Sequence, residues 1–142
     1  YKNVAGESAY AARLQPRLTQ HADRYTFLGT LRENELAAFY RNLDLLVLPS
    51  LNRTESFGLV QIEAMMHGIP VVASNLPGVR QPIAQTGMGI VTPIGDANAL
   101  ANAIVAVLRH PERYRLTSAN EFNRFAPDDV AAQYVKLFEK LS

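Results

Sequence analysis

Cysteine is absent from the 142-residue chain. That excludes disulfide scaffolds, thiolate metal sites and cysteine nucleophiles, and it removes any cue to redox compartment. An excess of one charge is lacking too: fourteen Lys and Arg stand against thirteen Asp and Glu, a net of +1. No whole-molecule field is therefore available to hold nucleic acid or an anionic membrane, and any anion must be bound locally. No apolar run approaches the ~20 residues that a membrane-spanning helix needs. Tyr1 opens the chain without a basic start or a following apolar stretch, so no secretory leader is visible and a cytoplasmic location is expected. What is present, 48% hydrophobic and 19% charged residues, suffices for one domain that buries most of its apolar surface and is too little for two full-sized ones.

Short apolar runs alternate with stretches of helical spacing, an order that predicts an α/β domain with a largely parallel sheet. Candidate strands are Asn3 to Ala5, Tyr25 to Leu28, Leu43 to Leu48, Pro70 to Ala73 and Gly89 to Val91. The chain opens inside what reads as a strand, Tyr1 to Ala5, which suggests a domain cut from something longer. Helices are predicted over Ala9 to Gln20, where Pro16 should cause a kink or an early stop; over a stretch carrying Leu36, Phe39, Tyr40 and Leu43 on one face; from an Asp96 N-cap through Leu100, Ile104 and Leu108 to before Pro111; and from Pro127 with Val130, Tyr134, Leu137, Phe138 and Leu141 as a packing stripe.

The chemistry is concentrated in Pro49 to Gly68, which follows the most apolar strand and leads into a helix. In open α/β sheets ligands sit beyond the carboxyl ends of the strands, where the loop Pro49 to Phe57 is expected. Gly58 would allow close approach to the backbone at the first helical turn, and the free N–H groups there would seat a phosphate. A helical wheel puts Leu59, Ile62 and Met66 on one face, with Glu63 inside the same apolar arc and Gln61 alone pointing squarely away. A buried carboxylate needs donors within reach, and sugar hydroxyls would serve; the other reading is a solvated Glu63 at the margin of a narrower stripe. Glu55 and Glu63 could face one cleft. They are poorly placed to flank a glycosidic bond from opposite sides, as glycoside hydrolysis requires. A metal site would need more ligands nearby: His67 is better read as a residue of the last turn before a Gly68 cap, and His21 and His110 as surface residues.

The run Glu55-Ser56-Phe57-Gly58-Leu59-Val60-Gln61-Ile62-Glu63-Ala64-Met65 resembles the E-x7-E signature of the C-terminal domain of GT-B-fold glycosyltransferases of group 1, the family 4 enzymes. Val4-Ala5-Gly6-Glu7, Thr26-Phe27-Leu28-Gly29, Asp44 to Ser50, Gly68 to Ser74 and Gly95-Asp96 are similar to further family motifs, in the family's order, over roughly residues 4 to 110. The resemblance implies a Rossmann-like parallel sheet flanked by helices, the C-terminal half of a GT-B fold truncated at its N-terminus. Residues 1–142 would be the nucleotide-sugar-binding domain of a retaining enzyme that moves a sugar from a nucleoside-diphosphate sugar to an acceptor. It implies Glu55 as the catalytic carboxylate on the hydroxyls of the transferred sugar, and Ser56, Phe57, Gly58, Leu59 and Val60 around the diphosphate. Glu63 would take the ribose, Leu28 and Gly29 would border the base, and Gly6 would line the cleft floor. No cofactor and no metal are implied. The acceptor would be held by an N-terminal domain that this chain lacks, so the fragment should be inactive alone; membrane association of the full-length enzyme stays open.

Three departures qualify the resemblance. The family's first strand and its diphosphate-clamping Arg and Lys would lie upstream of Tyr1, Ser8 stands where a second Gly is common, and Gln81 stands where Glu is frequent. Arg80 reads equally as a second cation for the phosphates or as a surface residue. Two alternatives stay open: a related GT-B nucleotide-sugar enzyme of epimerase type, and a non-catalytic α/β binding module. A phosphorylase would need a Lys to anchor pyridoxal phosphate, yet Lys2, Lys136 and Lys140 lie only at the ends.

Overall fold

Alternation along one short strand sets the layering. In the computed structural model, which describes residues 7–115, 122 and 125–141, the strand Val71–Ser74 (β2) is buried along its whole length. It pairs in parallel with Leu46–Leu48 (β1) on one side and Gly89–Thr92 (β3) on the other, in register Leu46 to Val71 and Val71 to Gly89. Successive side chains of a strand point to opposite faces. Val71 and Ala73 accordingly join a core with Tyr40, Ala64, Met65, Ile69 and Met88, while Val72 joins Ala103 and Val107. A parallel sheet needs cover on both faces. The helices Glu33–Arg41 (α2), Leu59–Met66 (α3) and Gln81–Thr86 (α4) contribute to the first core, and Ala97–Arg109 (α5) builds the second.

The chain divides into two compact units, Tyr1–Glu33 and Asn34–Ser142. The first contains the helix Glu7–Gln20 (α1), which runs through Pro16 without stopping. Proline removes only one i to i−4 bond, and the turn beyond it closes normally, His21 N–H reaching the Arg17 carbonyl at 3.2 Å. Tyr25 to Leu28 does not form the expected strand: among the described residues the sheet comprises β1, β2 and β3. A strand is held by its ladder; here Tyr25 and Phe27 meet edge to face instead, with centroids 6.3 Å apart, and both are exposed. The expected strand Asn3 to Ala5 lies outside the described residues.

The other boundaries shift for local reasons. β1 begins at Leu46 rather than Leu43, because Asn42 and Leu43 donate back to the Phe39 and Tyr40 carbonyls and finish α2. β2 begins at Val71 because Pro70 has no N–H for the ladder; its carbonyl still accepts from Leu46. α5 has its predicted cap, Asp96 accepting from the Ala99 N–H at 2.9 Å. Its inward face is Leu100, Ala103, Ile104 and Val107, which leaves Leu108 exposed. The last helix, Pro127–Glu139 (α6), exists as predicted but does not pack as predicted: Val130, Tyr134, Leu137 and Phe138, together with Leu141 beyond its end, are all exposed. Among the described residues no helix is long and apolar enough to cross a membrane.

The β2–β3 pairing supplies a stability test. Gly89 has φ +151°, and a Cβ there would meet the Val71 carbonyl oxygen at 1.8 Å, whereas Gly87, φ +69°, opens onto free space. Gly89→Ala should cost on the order of 3 kcal/mol, a buried backbone clash, and Gly87→Ala only about 1 kcal/mol of backbone strain. Urea titration of both variants checks this; equal losses would mean that the register at Gly89 is not as described.

Candidate functional site

Beyond the carboxyl end of β1 the chain enters the loop that the sequence marks as the ligand edge. It is shaped by its own side chains: Asn52 Oδ1 accepts from both the Thr54 N–H and the Thr54 hydroxyl, an Asx turn that Asn favours. The loop ends at Gly58, whose φ of +77° and ψ of +66° put it in the left-handed region just before α3. That conformation favours glycine, and a side chain would also crowd the core. A Cβ would stand 2.5 Å from Leu48 Cδ2 and 2.8 Å from Gln61 Nε2.

The rotation of α3 differs from the helical wheel. Its buried residues are Gln61, Ile62, Ala64 and Met65, and Gln61, expected to point away, is 0% exposed. Leu59, Val60, Glu63 and Met66 form the outward face instead, with Leu59 69% and Met66 65% exposed. Of the apolar arc drawn around Glu63, Ile62 is buried as expected, while Leu59, Val60 and Met66 are turned to solvent. The wheel erred by assuming that the more apolar arc faces inward; a glutamine whose donors are both used is compatible with burial. The Gln61 amide donates to the Phe57 carbonyl at 2.9 Å and to the Val79 carbonyl at 3.0 Å.

Glu63 is therefore the marginal, solvent-facing residue of the second sequence reading, and it also has a donor. The Tyr40 hydroxyl, from α2, donates to Glu63 Oε2 at 2.6 Å. Tyr40 is itself 4% exposed and stacks on the His67 ring, with centroids 5.7 Å apart and planes 15° from parallel. Burial, then the hydrogen bond to Glu63 and its charge, push the phenol above its ordinary value of 10.0. Sequence reasoning placed Tyr40 in a core stripe and missed this role; the available cue was a hydroxyl among apolar residues, which needs a partner when buried. α3 ends as predicted. Gly68, φ +77°, follows His67, and the Gly68 and Ile69 N–H groups bond back to the Met65 and Ala64 carbonyls, a Schellman closure.

The loop and α3 bring together Glu55, half-buried, Ser56, exposed, Phe57, Gly58, Leu59, Val60 and Glu63. Phe57 packs near Phe125, with ring centroids 6.4 Å apart. At the head of α3 the Gln61 N–H turns back to the Gly58 carbonyl at 2.9 Å. The N–H groups of Leu59 and Val60 are left at the open end, where a helix has no carbonyl to offer them. Leu28 and Gly29 belong to the first unit, and Gly6 lies outside the described residues. Arg80, exposed, donates to Asn75 Oδ1 at 3.1 Å, and Gln81 donates to the Pro77 carbonyl at 3.0 Å. A cavity of about 170 Å³ lies at the same strand ends, lined by Pro49, Leu51, Ser74, Thr92 and Asp96 among others. Pro49 and Leu51 belong to the expected ligand loop, but Glu55 to Val60 and Glu63 do not line the cavity, and it is below the few hundred Å³ typical of a small-molecule site. Among the described residues no three His, Asp or Glu side chains are grouped to hold a metal ion.

The bond from Tyr40 to Glu63 has a pH signature. A phenol whose folded pKa is raised contributes stability that is whole below about pH 10; above it the unfolded chain releases the proton first. Stability should therefore fall as pH rises past 10, by at most about 1.4 kcal/mol per unit from this group, and Tyr40→Phe should flatten that limb. Denaturant midpoints between pH 8 and 11 test this; identical slopes for the two proteins would contradict it.

The geometry can be set beside known proteins. Residues 3–110 match the family model described as glycosyl transferases group 1. The phosphatidyl-myo-inositol mannosyltransferase of Mycobacterium leprae is 38% identical over 119 residues, which cover 82% of this chain and 32% of that protein. Among solved structures, sucrose-phosphate synthase from Thermosynechococcus elongatus superimposes with a TM-score of 0.73 at 35% identity, over 94% of this chain and 34% of that one. Anabaena Alr3699/HepE in complex with UDP does so with a TM-score of 0.76 at 26% identity, over 96% and 38%. The chain thus spans about a third of the length of the relatives it matches. With its three parallel strands covered by helices and its match over residues 3–110, the chain belongs to the group 1 glycosyltransferases.

Proposed function

We propose that residues 1–142 are the nucleotide-sugar-binding domain of a retaining glycosyltransferase, in which a sugar passes from a nucleoside-diphosphate sugar to an acceptor held by residues outside this chain. The supporting observation is the head of α3: a left-handed Gly58 followed by the open N–H groups of Leu59 and Val60, with Glu63 on the same outward face. Helix N-terminal amides favour a diphosphate by hydrogen bonding and by the dipole. One turn on, Glu63, oriented by Tyr40, accepts from ribose hydroxyls. Glu55, in the loop before the helix, accepts from hydroxyls of the transferred sugar and is the catalytic carboxylate. The UDP bound to the Anabaena neighbour fits this reading. With amides as the anion seat, binding needs no divalent cation.

The two carboxylates are separable. Hydrogen bonds to a charged group contribute about 1.5 to 3 kcal/mol, or roughly a ten- to hundredfold change in dissociation constant. Glu63→Ala should weaken nucleoside diphosphate and sugar nucleotide alike by such a factor. Glu55→Ala should leave the diphosphate nearly unchanged and lose the extra affinity for the sugar nucleotide. Calorimetric titration with UDP, GDP and their hexose conjugates, with and without chelator, is the test. Equal losses for Glu55→Ala on both ligands, or binding that disappears with chelator and returns with Mg²⁺, would contradict the assignment.

A further inference from the structure

Gln61 is 0% exposed, and its Oε1 has no hydrogen-bond partner. A leucine would fill the same space without burying an unsatisfied oxygen, which is a cost. What the carboxamide supplies instead is direction. Its Nε2 faces two carbonyls, Phe57 O at 2.9 Å in the loop before α3 and Val79 O at 3.0 Å in the loop after β2. Only a donor suits both, so the amide orientation follows from its partners. The two loops also touch through their backbones. A Cβ on Gly78 would lie 1.7 Å from the Ser56 carbonyl oxygen and 3.6 Å from Phe57 Cα.

We propose that Gln61 is a positioning residue that clamps the peptide between Phe57 and Gly58, holding the Gly58 N–H toward the diphosphate seat and tying that seat to the loop around Gly78 and Val79. The geometric step is elementary: in a planar trans peptide the carbonyl and the N–H point in opposite directions. With the Phe57 carbonyl pinned to Gln61, the Gly58 N–H of that same peptide faces away from the side chain. Without the clamp, the glycine in the left-handed region leaves this peptide free to turn over, because glycine has little preference for either hand. The proposal rests on the reading that the head of α3 seats the diphosphate.

The quantity to measure is the ratio of nucleoside to nucleoside-diphosphate dissociation constants, uridine against UDP and guanosine against GDP, by NMR titration. Gln61→Leu should lower this ratio about tenfold, the worth of one hydrogen bond to a charged group, with the nucleoside constant changed less than twofold. Gly78→Ala, which forces the braced loop aside without touching Gln61, should do the same. In Gln61→Glu, a buried carboxylate facing two carbonyls cannot donate, whereas its protonated form can, and burial raises its pKa. The ratio relative to wild type should therefore be low at pH 8 and restored at pH 5.5, a recovery that a merely space-filling role does not produce. If Gln61→Leu fails to fold, Gly78→Ala and the two pH values of Gln61→Glu decide. A folded variant with the wild-type ratio, or a Gln61→Glu ratio independent of pH, overturns the clamp. A wild-type protein that binds nucleoside and diphosphate equally overturns the phosphate seat itself, and the clamp with it.

Discussion

Complete burial of β2 is the constraint from which the rest of the second unit follows. A central parallel strand with no exposed residue needs helices on both faces, and here Val71 and Ala73 draw α2, α3 and α4 to one side while Val72 draws α5 to the other. α3 meets this demand with Ala64 and Met65, and that fixes its rotation about its own axis. Once those residues face the sheet, Glu63 must face outward, and Gln61, on the buried side, must find partners for its amide. It finds them in the loops on either side.

The proposed site and the core are therefore two faces of one helix. The outward face carries Leu59, Val60, Glu63 and Met66, and its first-turn amides lie beyond the carboxyl ends of the strands. The inward face carries the residues that keep those amides in place. Gly58 joins the two: its conformation starts the helix, and its missing Cβ makes room for Leu48 and Gln61. Tyr40 extends the same logic to α2, since a residue drawn into the core by its ring reaches Glu63 with its hydroxyl.

Much of this was legible in the sequence, for identifiable reasons. Strong local signals carried through: the Asp96 cap, the Gly68 closure of α3, and the apolar runs of β1, β2 and β3. Long-range facts did not. Whether Tyr25 to Leu28 joins a sheet depends on a ladder partner, which no local pattern reveals, and the exposed stripe of α6 reads the same in sequence whether it is covered or not. Six of the eight residues of α3 are apolar, so hydrophobicity alone does not choose between its two arcs; of the two carbonyls that make Gln61 buriable, one is four residues back in the loop before the helix and one is eighteen residues on. Tyr40 and Gly78 were invisible as site residues for the same reason, since each acts through a partner distant in the chain.

The central claim is that the amides at the head of α3 receive the diphosphate. Amide chemical-shift mapping of the isotope-labelled protein with UDP and GDP tests it most directly. The account predicts that the largest shifts fall on Gly58, Leu59 and Val60, with smaller ones at Glu63 and little change at the Asp96 cap of α5. Shifts centred on Thr92, Gly95 and Asp96, around the small cavity at the strand ends, with Gly58 to Val60 unmoved, would contradict it.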